Sequence, residues 1–123
     1  MIEVFIPGNL ENPLNHARQR FHGARLRKKS RAVAGAYYRA EIMAQRAHGV
    51  VWGASTPKRV TFLARLWNRM DDDGLGASLK GVRDALADVR LIDTDGPESG
   101  HEFVYQQVID RKRRGVEVRV EAL

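Results

Sequence analysis

The chain has 123 residues, no cysteine, and 21 Lys and Arg against 15 Asp and Glu, a formal net charge of +6. That length supports one domain, residues 1–123, around one core. The missing cysteines exclude disulfides, thiolate metal sites and cysteine nucleophiles, and the charge balance favours a polyanion such as nucleic acid or an anionic membrane surface.

Ile2 to Ile6 read as a short strand closed by Pro7-Gly8, and Asn9 to Asn15 have the composition of a loop. The N-terminus lacks the basic-then-apolar pattern of a signal peptide, and no apolar run approaches the roughly 20 residues of a membrane span, so a cytoplasmic protein is expected. Residues 16–31 hold the densest positive charge, with Arg18, Arg20, Arg25, Arg27, Lys28, Lys29 and Arg31 and no acidic residue, interleaved with His16, Phe21 and His22. Ser30 is placed to cap a helix running to about His48, with Val33, Tyr37, Ala40 and Ala44 on one face and Gly49 as terminator. The basic segment leads into this helix or forms its first turns.

After the turn-like Gly53-Ala54-Ser55-Thr56-Pro57, residues 58–70 alternate, with Val60, Phe62, Ala64 and Leu66 on one face, and predict a long strand that ends in Asp71-Asp72-Asp73-Gly74. Leu75, Leu79, Val82, Leu86 and Val89 then follow the spacing of an amphipathic helix. A second acidic turn, Leu91 to Pro97, precedes strands expected at 103–109 and 116–120, with Arg111-Lys112-Arg113-Arg114-Gly115 between them as a basic hairpin loop. The final hairpin argues for an α+β fold, a mixed or antiparallel sheet packed with two main helices.

Chemistry concentrates in the two acidic turns. In an extended strand residues i and i+2 share a face, so Asp71 and Asp73 can converge on one hard cation while Asp72 points away. The helix N-terminus that follows favours negative charge nearby; the simpler alternative is an acidic turn that caps the helix. A calcium loop with Gly74 sixth would begin at Arg69 and end at Lys80, neither of them a ligand. Asp93 and Asp95 also share a parity and can approach the first pair if the chain turns back, or else form a solvated turn with Gly96-Pro97.

Lys80, two helical turns after Asp73, can lean toward the acidic turn and bind a phosphate, or pair with Asp84 at i, i+4. His16, His22, His48 and His101 form no H-E-x-x-H helix, there is no G-x-S-x-G elbow, and Gly74-Leu75-Gly76 lacks the end of a phosphate loop.

Arg69-Met70-Asp71-Asp72-Asp73-Gly74-Leu75, followed by Lys80-Gly81-Val82-Arg83-Asp84-Ala85-Leu86, resembles the D-x-D-N and K-x-x-x-D-A-L signature of RusA-type Holliday-junction resolvases. Leu91 to Asp95 fall where that family has an apolar pair and two aspartates. Ile6-Pro7-Gly8, Leu14-Asn15 and Tyr105 with Val116-Glu117-Val118 fit its opening and closing segments, so the resemblance covers nearly the whole chain. Gly74 stands where the motif usually has asparagine, and Thr94 separates the two later aspartates.

The resemblance implies a homodimeric, metal-dependent endonuclease of phages and prophages that nicks opposed strands of branched DNA. By position Asp71, Asp73 and either Asp93 or Asp95 would bind Mg²⁺ or Mn²⁺, with Lys80 assisting. The alternation after Ile92 favours Asp95 over Asp93. The seven cations from Arg18 to Arg31 would hold DNA backbones. A rival expectation is a DNA-binding module of the same fold that does not cleave, and a third is an RNA-binding accessory protein.

Overall fold

The computed structural model describes residues 1–10, 22–47 and 53–123. In chain order these form β1 (Ile2–Pro7), α1 (His22–Ala47), β2 (Lys58–Leu66), α2 (Asp72–Asp88), a 3-10 turn (Pro97–Ser99), β3 (Glu102–Ile109) and β4 (Gly115–Ala122). The single domain is a four-stranded mixed sheet with two helices, the α+β class expected. Among the described residues no helix is long and apolar enough to cross a membrane.

The strand order is β1-β4-β2-β3, with β4 antiparallel to both β1 and β2, and β3 parallel to β2. The expected terminal hairpin is therefore not formed: β3 and β4 lie on opposite sides of β2, and residues 110–114 cross the end of β2 instead of joining two neighbours. The physical reason lies in what β4 can bury. Val116, Val118 and Val120 alternate into the core between the equally apolar inner faces of β1 and β2, whereas Val108 and Ile109 of β3 stay exposed, as suits an edge strand.

Val4, Ile6, Val60, Phe62 and Leu66 complete the sheet's inner face, and α2 lays Leu75, Leu79, Val82 and Leu86 into the same core, as its spacing predicts. Leu91 and Ile92 close the core after α2. The Lys58 side chain is buried at the start of β2, where its ammonium donates to the carbonyls of Gly53, Ala54 and Thr56. Burial lowers its affinity for the proton, and the charge of Asp93 opposes that shift.

α1 differs from the sequence expectation in two respects. It begins at His22, so the basic residues from Arg25 onward form its first turns, and Ser30 is an interior residue whose hydroxyl donates to the Arg27 carbonyl. The expected end near His48 and Gly49 lies outside the described residues. The buried stripe is Ala34 and Tyr38, one residue on from the expected face, and Val33, Tyr37, Ala40 and Ala44 are exposed.

Contact with α2 selects that face. A Cβ at Gly81 would press on the Ser30 hydroxyl and stand 2.6 Å from the Arg27 carbonyl oxygen and 3.1 Å from the Arg31 nitrogen, so α1 lies directly against the bare glycine. Four positions beyond Ala34, the Tyr38 hydroxyl donates to the Val82 carbonyl at 2.9 Å. Burial holds that hydroxyl well above the usual phenol range, so it remains a donor. At the other flank the Arg31 guanidinium grips the Asp88 carboxylate through two nitrogens, at 2.5 Å each, and holds that carboxyl below its ordinary range.

The helix contact sets a measurable order of costs. Gly81→Ala should lower stability by about 1–3 kcal/mol through overpacking, and Tyr38→Phe by about 1 kcal/mol through the lost hydrogen bond. Urea denaturation of the two variants checks both values; a neutral Gly81→Ala would show that α1 can move away freely.

Candidate functional site

β2 ends at Leu66, four residues short of the expected strand, and the chain turns through Trp67 to Met70 before α2 begins at Asp72. The Gln107 side chain fixes this turn: its amide oxygen accepts from the Met70 nitrogen and its amide nitrogen donates to the Met70 carbonyl, both at 2.9 Å.

Asp71 is the N-cap of α2. Its Oδ1 accepts from the Gly74 nitrogen at 2.6 Å, satisfying a donor that has no helical partner. Asp72 and Asp73 occupy the first helical turn and are exposed. The strand argument for convergence of Asp71 and Asp73 is thereby corrected, because residues i and i+2 at a helix start do not face one another. Asp73 lies on the outward side of α2, as do Lys80 and Asp84. The Lys80 ammonium is 3.6 Å from the Asp84 carboxylate, the i, i+4 pair, and Asp73 has no side-chain partner among the described residues.

The later aspartates are held elsewhere. Asp93 accepts from the ring of His101, Nε2 to Oδ1 at 2.8 Å, while His101 Nδ1 accepts from the Lys58 nitrogen at 3.1 Å. The backbone donor dictates the tautomer: Nδ1 is bare and Nε2 carries the proton given to Asp93. That bond, with one from the Thr94 N–H, holds the Asp93 carboxyl below the usual range. Asp93 thus sits beside Lys58, where β2 starts, whereas Asp71 follows its end; nine strand residues separate the two ends, about 25 Å along the strand.

Asp95 lies between these extremes. Its carboxylate accepts from Arg83 Nε at 3.2 Å, and Arg83 also donates to the Asp95 carbonyl and to the Tyr105 hydroxyl. The same guanidinium lies 3.8 Å from the centre of the Phe103 ring. Asp93 and Asp95 are almost equally exposed, at 39% and 35% of the side chain, so alternation alone does not separate them. Among the described residues no group of three acidic, histidine or cysteine side chains gathers at metal-binding distance.

The acidic turn does share a cleft. A depression of about 530 Å³ is walled by Arg65, Trp67, Arg69, Met70, Asp71 and Arg114, together with Asn9 and Leu10. Arg65 is tied to Asp110 at 3.0 Å and to Glu117 at 3.3 Å, and its buried Nε has no partner among the described residues. Arg114 of the wall ends the 110–114 crossing. Asp110 Oδ1 accepts from the nitrogens of Lys112 and Arg113, and its own nitrogen donates to the Leu66 carbonyl at 2.9 Å. Gly8 donates to the Arg114 carbonyl, and the Arg113 guanidinium lies 3.9 Å from the centre of the Phe5 ring.

Of the expected phosphate contacts, Arg25, Arg27, Lys28 and Lys29 are exposed on α1 and have no carboxylate partner among the described residues. Arg31 is committed to Asp88; Arg18 and Arg20 lie outside the described residues. Sequence reasoning overlooked Arg83, Tyr105 and Gln107 as positioning residues and Arg114 of the 110–114 crossing as part of a cleft. Only the run Arg111-Lys112-Arg113-Arg114 gave a signal, and reading it as a hairpin tip hid its position over β2.

Comparison of the chain with family models, curated proteins and solved structures finds no match.

The Arg113 N–H, followed by those of Lys112 and then Arg65, holds the Asp110 carboxyl below its ordinary range. Its stabilising effect is therefore complete above the unfolded value, about 3.9, and is lost as the pH falls through the lower folded value. Asp110→Asn should melt below wild type at pH 7, and the gap should close below about pH 4. Thermal melts across pH check this; a constant gap into strong acid would mean that the carboxylate charge is not the source.

Proposed function

We propose that this chain binds branched DNA and acts on it as a metal-dependent endonuclease similar to the RusA-type resolvases. The observation that carries the reading is the shared cleft: Asp71 of the acidic turn lines it together with Arg69 and Arg114, which have no carboxylate partner among the described residues. Arginines hold the DNA backbone through phosphate contacts without reading sequence, and the helix N-terminus adds backbone donors that favour an anion.

The donor chemistry of the turn fits a hard cation, since Mg²⁺ is commonly held by one or two carboxylates with water and substrate phosphate completing its shell. Asp71, through the oxygen not used for capping, would hold it directly, and Asp73, which does not face Asp71, would reach it through a water of its shell. Bound there, the metal would supply an activated water and neutralise charge on the scissile phosphate. A sphere of three aspartates does not fit the arrangement, because Asp95 is engaged by Arg83 and Asp93 by His101. Lys80, paired with Asp84 on the outward side of α2, would act on approaching DNA from that side. Cleavage of two opposed strands requires two copies, and a two-fold dimer matches the approximate symmetry of a four-way junction.

A second reading has a specific observation in its favour. The separate engagement of Asp93 and Asp95 suits a branched-DNA-binding module that does not cleave.

A synthetic four-way junction with Mg²⁺ or Mn²⁺ separates the readings. The first expects paired nicks that Asp73→Asn abolishes while junction binding is kept or improved, since a carboxylate that repels phosphate is lost. Binding without nicks in either metal would select the second reading; neither binding nor nicks would defeat both.

A further inference from the structure

We propose that Trp67 and the arginines of the 110–114 crossing form a seat for an unpaired nucleotide, with the base against the indole and the flanking phosphates on Arg111 and Arg114. Trp67 stands at the mouth of the cleft with half its surface exposed, 51%, although it directly follows a strand whose inner face is buried. The Arg111 and Arg114 guanidinium carbons lie 5.1 and 5.4 Å from the centre of its ring. Both are within the roughly 6 Å at which a cation is attracted to an aromatic face.

Neither arginine has a carboxylate partner among the described residues; Arg111 gives one weak bond, at 3.4 Å, to the Trp67 carbonyl. Most of their donors thus remain for a ligand. The neighbouring Asp110 does not neutralise them, because it is occupied by Arg65 and by two backbone N–H groups of the crossing. Those bonds fix the crossing before any ligand arrives, which lowers the ordering cost of binding.

An exposed indole flanked by unspent guanidinium groups fits single-stranded nucleic acid, where an aromatic platform takes a base of any identity and cations track the backbone. A bilayer surface is the less suitable anion, since the seat opens into a concavity rather than onto a flat face. The choice of polymer rests on the DNA-binding reading above; cleavage is not required, so the test is run in chelator without metal.

In a Trp52→Phe background Trp67 is the only indole. An oligothymidylate of about ten nucleotides, within the site sizes of single-strand binders, should quench its emission. An oligomer of equal length with abasic sugars should bind about tenfold more weakly and quench little. Arg111→Ala with Arg114→Ala should weaken both oligomers and flatten the salt dependence by about two charges. Trp67→Ala, followed by anisotropy of a labelled oligomer, should erase the difference between the two. If the Trp52→Phe chain does not fold, subtracting the emission of Trp67→Phe from that of wild type gives the same readout. Equal binding of both oligomers would overturn the base seat, as would absence of quenching, or quenching by vesicles of phosphatidylserine and phosphatidylcholine but not by the oligomer. Junction binding that persists while the seat fails would leave the DNA-binding reading standing.

Discussion

The arrangement depends on the central position of β2. With β4 on one side and β3 on the other, the chain leaving β3 can reach β4 only by passing over the end of β2. The Asp110 nitrogen makes the last bond to that end, on the Leu66 carbonyl, and its side chain then turns the chain by accepting two successive N–H groups. One backbone necessity thereby brings four basic side chains over the strand end from which the acidic turn also departs. At the opposite end of β2 the Lys58 ammonium lies among carbonyls, and its backbone nitrogen donates to His101, whose ring holds Asp93.

Much of the fold was legible because burial imposes a period. The stripe of α2 from Leu75 to Leu86 and the alternation in β2 and β4 follow from each element having one face to hide, although β2 stops at Leu66 and Val89, expected in the stripe, caps α2 and is only partly buried. Strand pairing was not legible, since β3 and β4 are joined by five residues and look like neighbours; their separation depends on how well β4 fills the space between β1 and β2. The face of α1 was misjudged for a related reason. Val33 and Tyr37 look like the better apolar pair, but the helix is positioned by what α2 lacks, a side chain at Gly81, and by one hydroxyl on Tyr38.

The candidate site was legible in its residue types and less so in their geometry. Asp71-Asp72-Asp73-Gly74 marks the right place in the chain, yet whether such a run ends a strand or starts a helix is decided by where the strand loses its partner, and β2 loses it at Leu66. The engagement of Asp95 by Arg83 and of Asp93 by His101 involves residues 12 and 8 positions away, a distance at which sequence spacing carries no directional information. Gln107 is the plainest case: an amide on an edge strand has no pattern to betray it, although both its polar atoms hold the turn that precedes Asp71.

The close approach at Gly81 has a bearing on the basic face of α1. A row of cations on a free tail adapts its spacing to any polyanion. Arg25, Lys28 and Lys29, which share one side of α1 while Arg27 points to another, instead form a short row on a helix seated on α2 and fastened again through Arg31 and Tyr38. Its charges are held at the pitch of a helix, about 5.4 Å per turn, and at a fixed distance from the start of α2. The helix therefore acts as a ruler: an anion lattice of matching curvature meets the whole row at once, and one of different curvature meets only part of it.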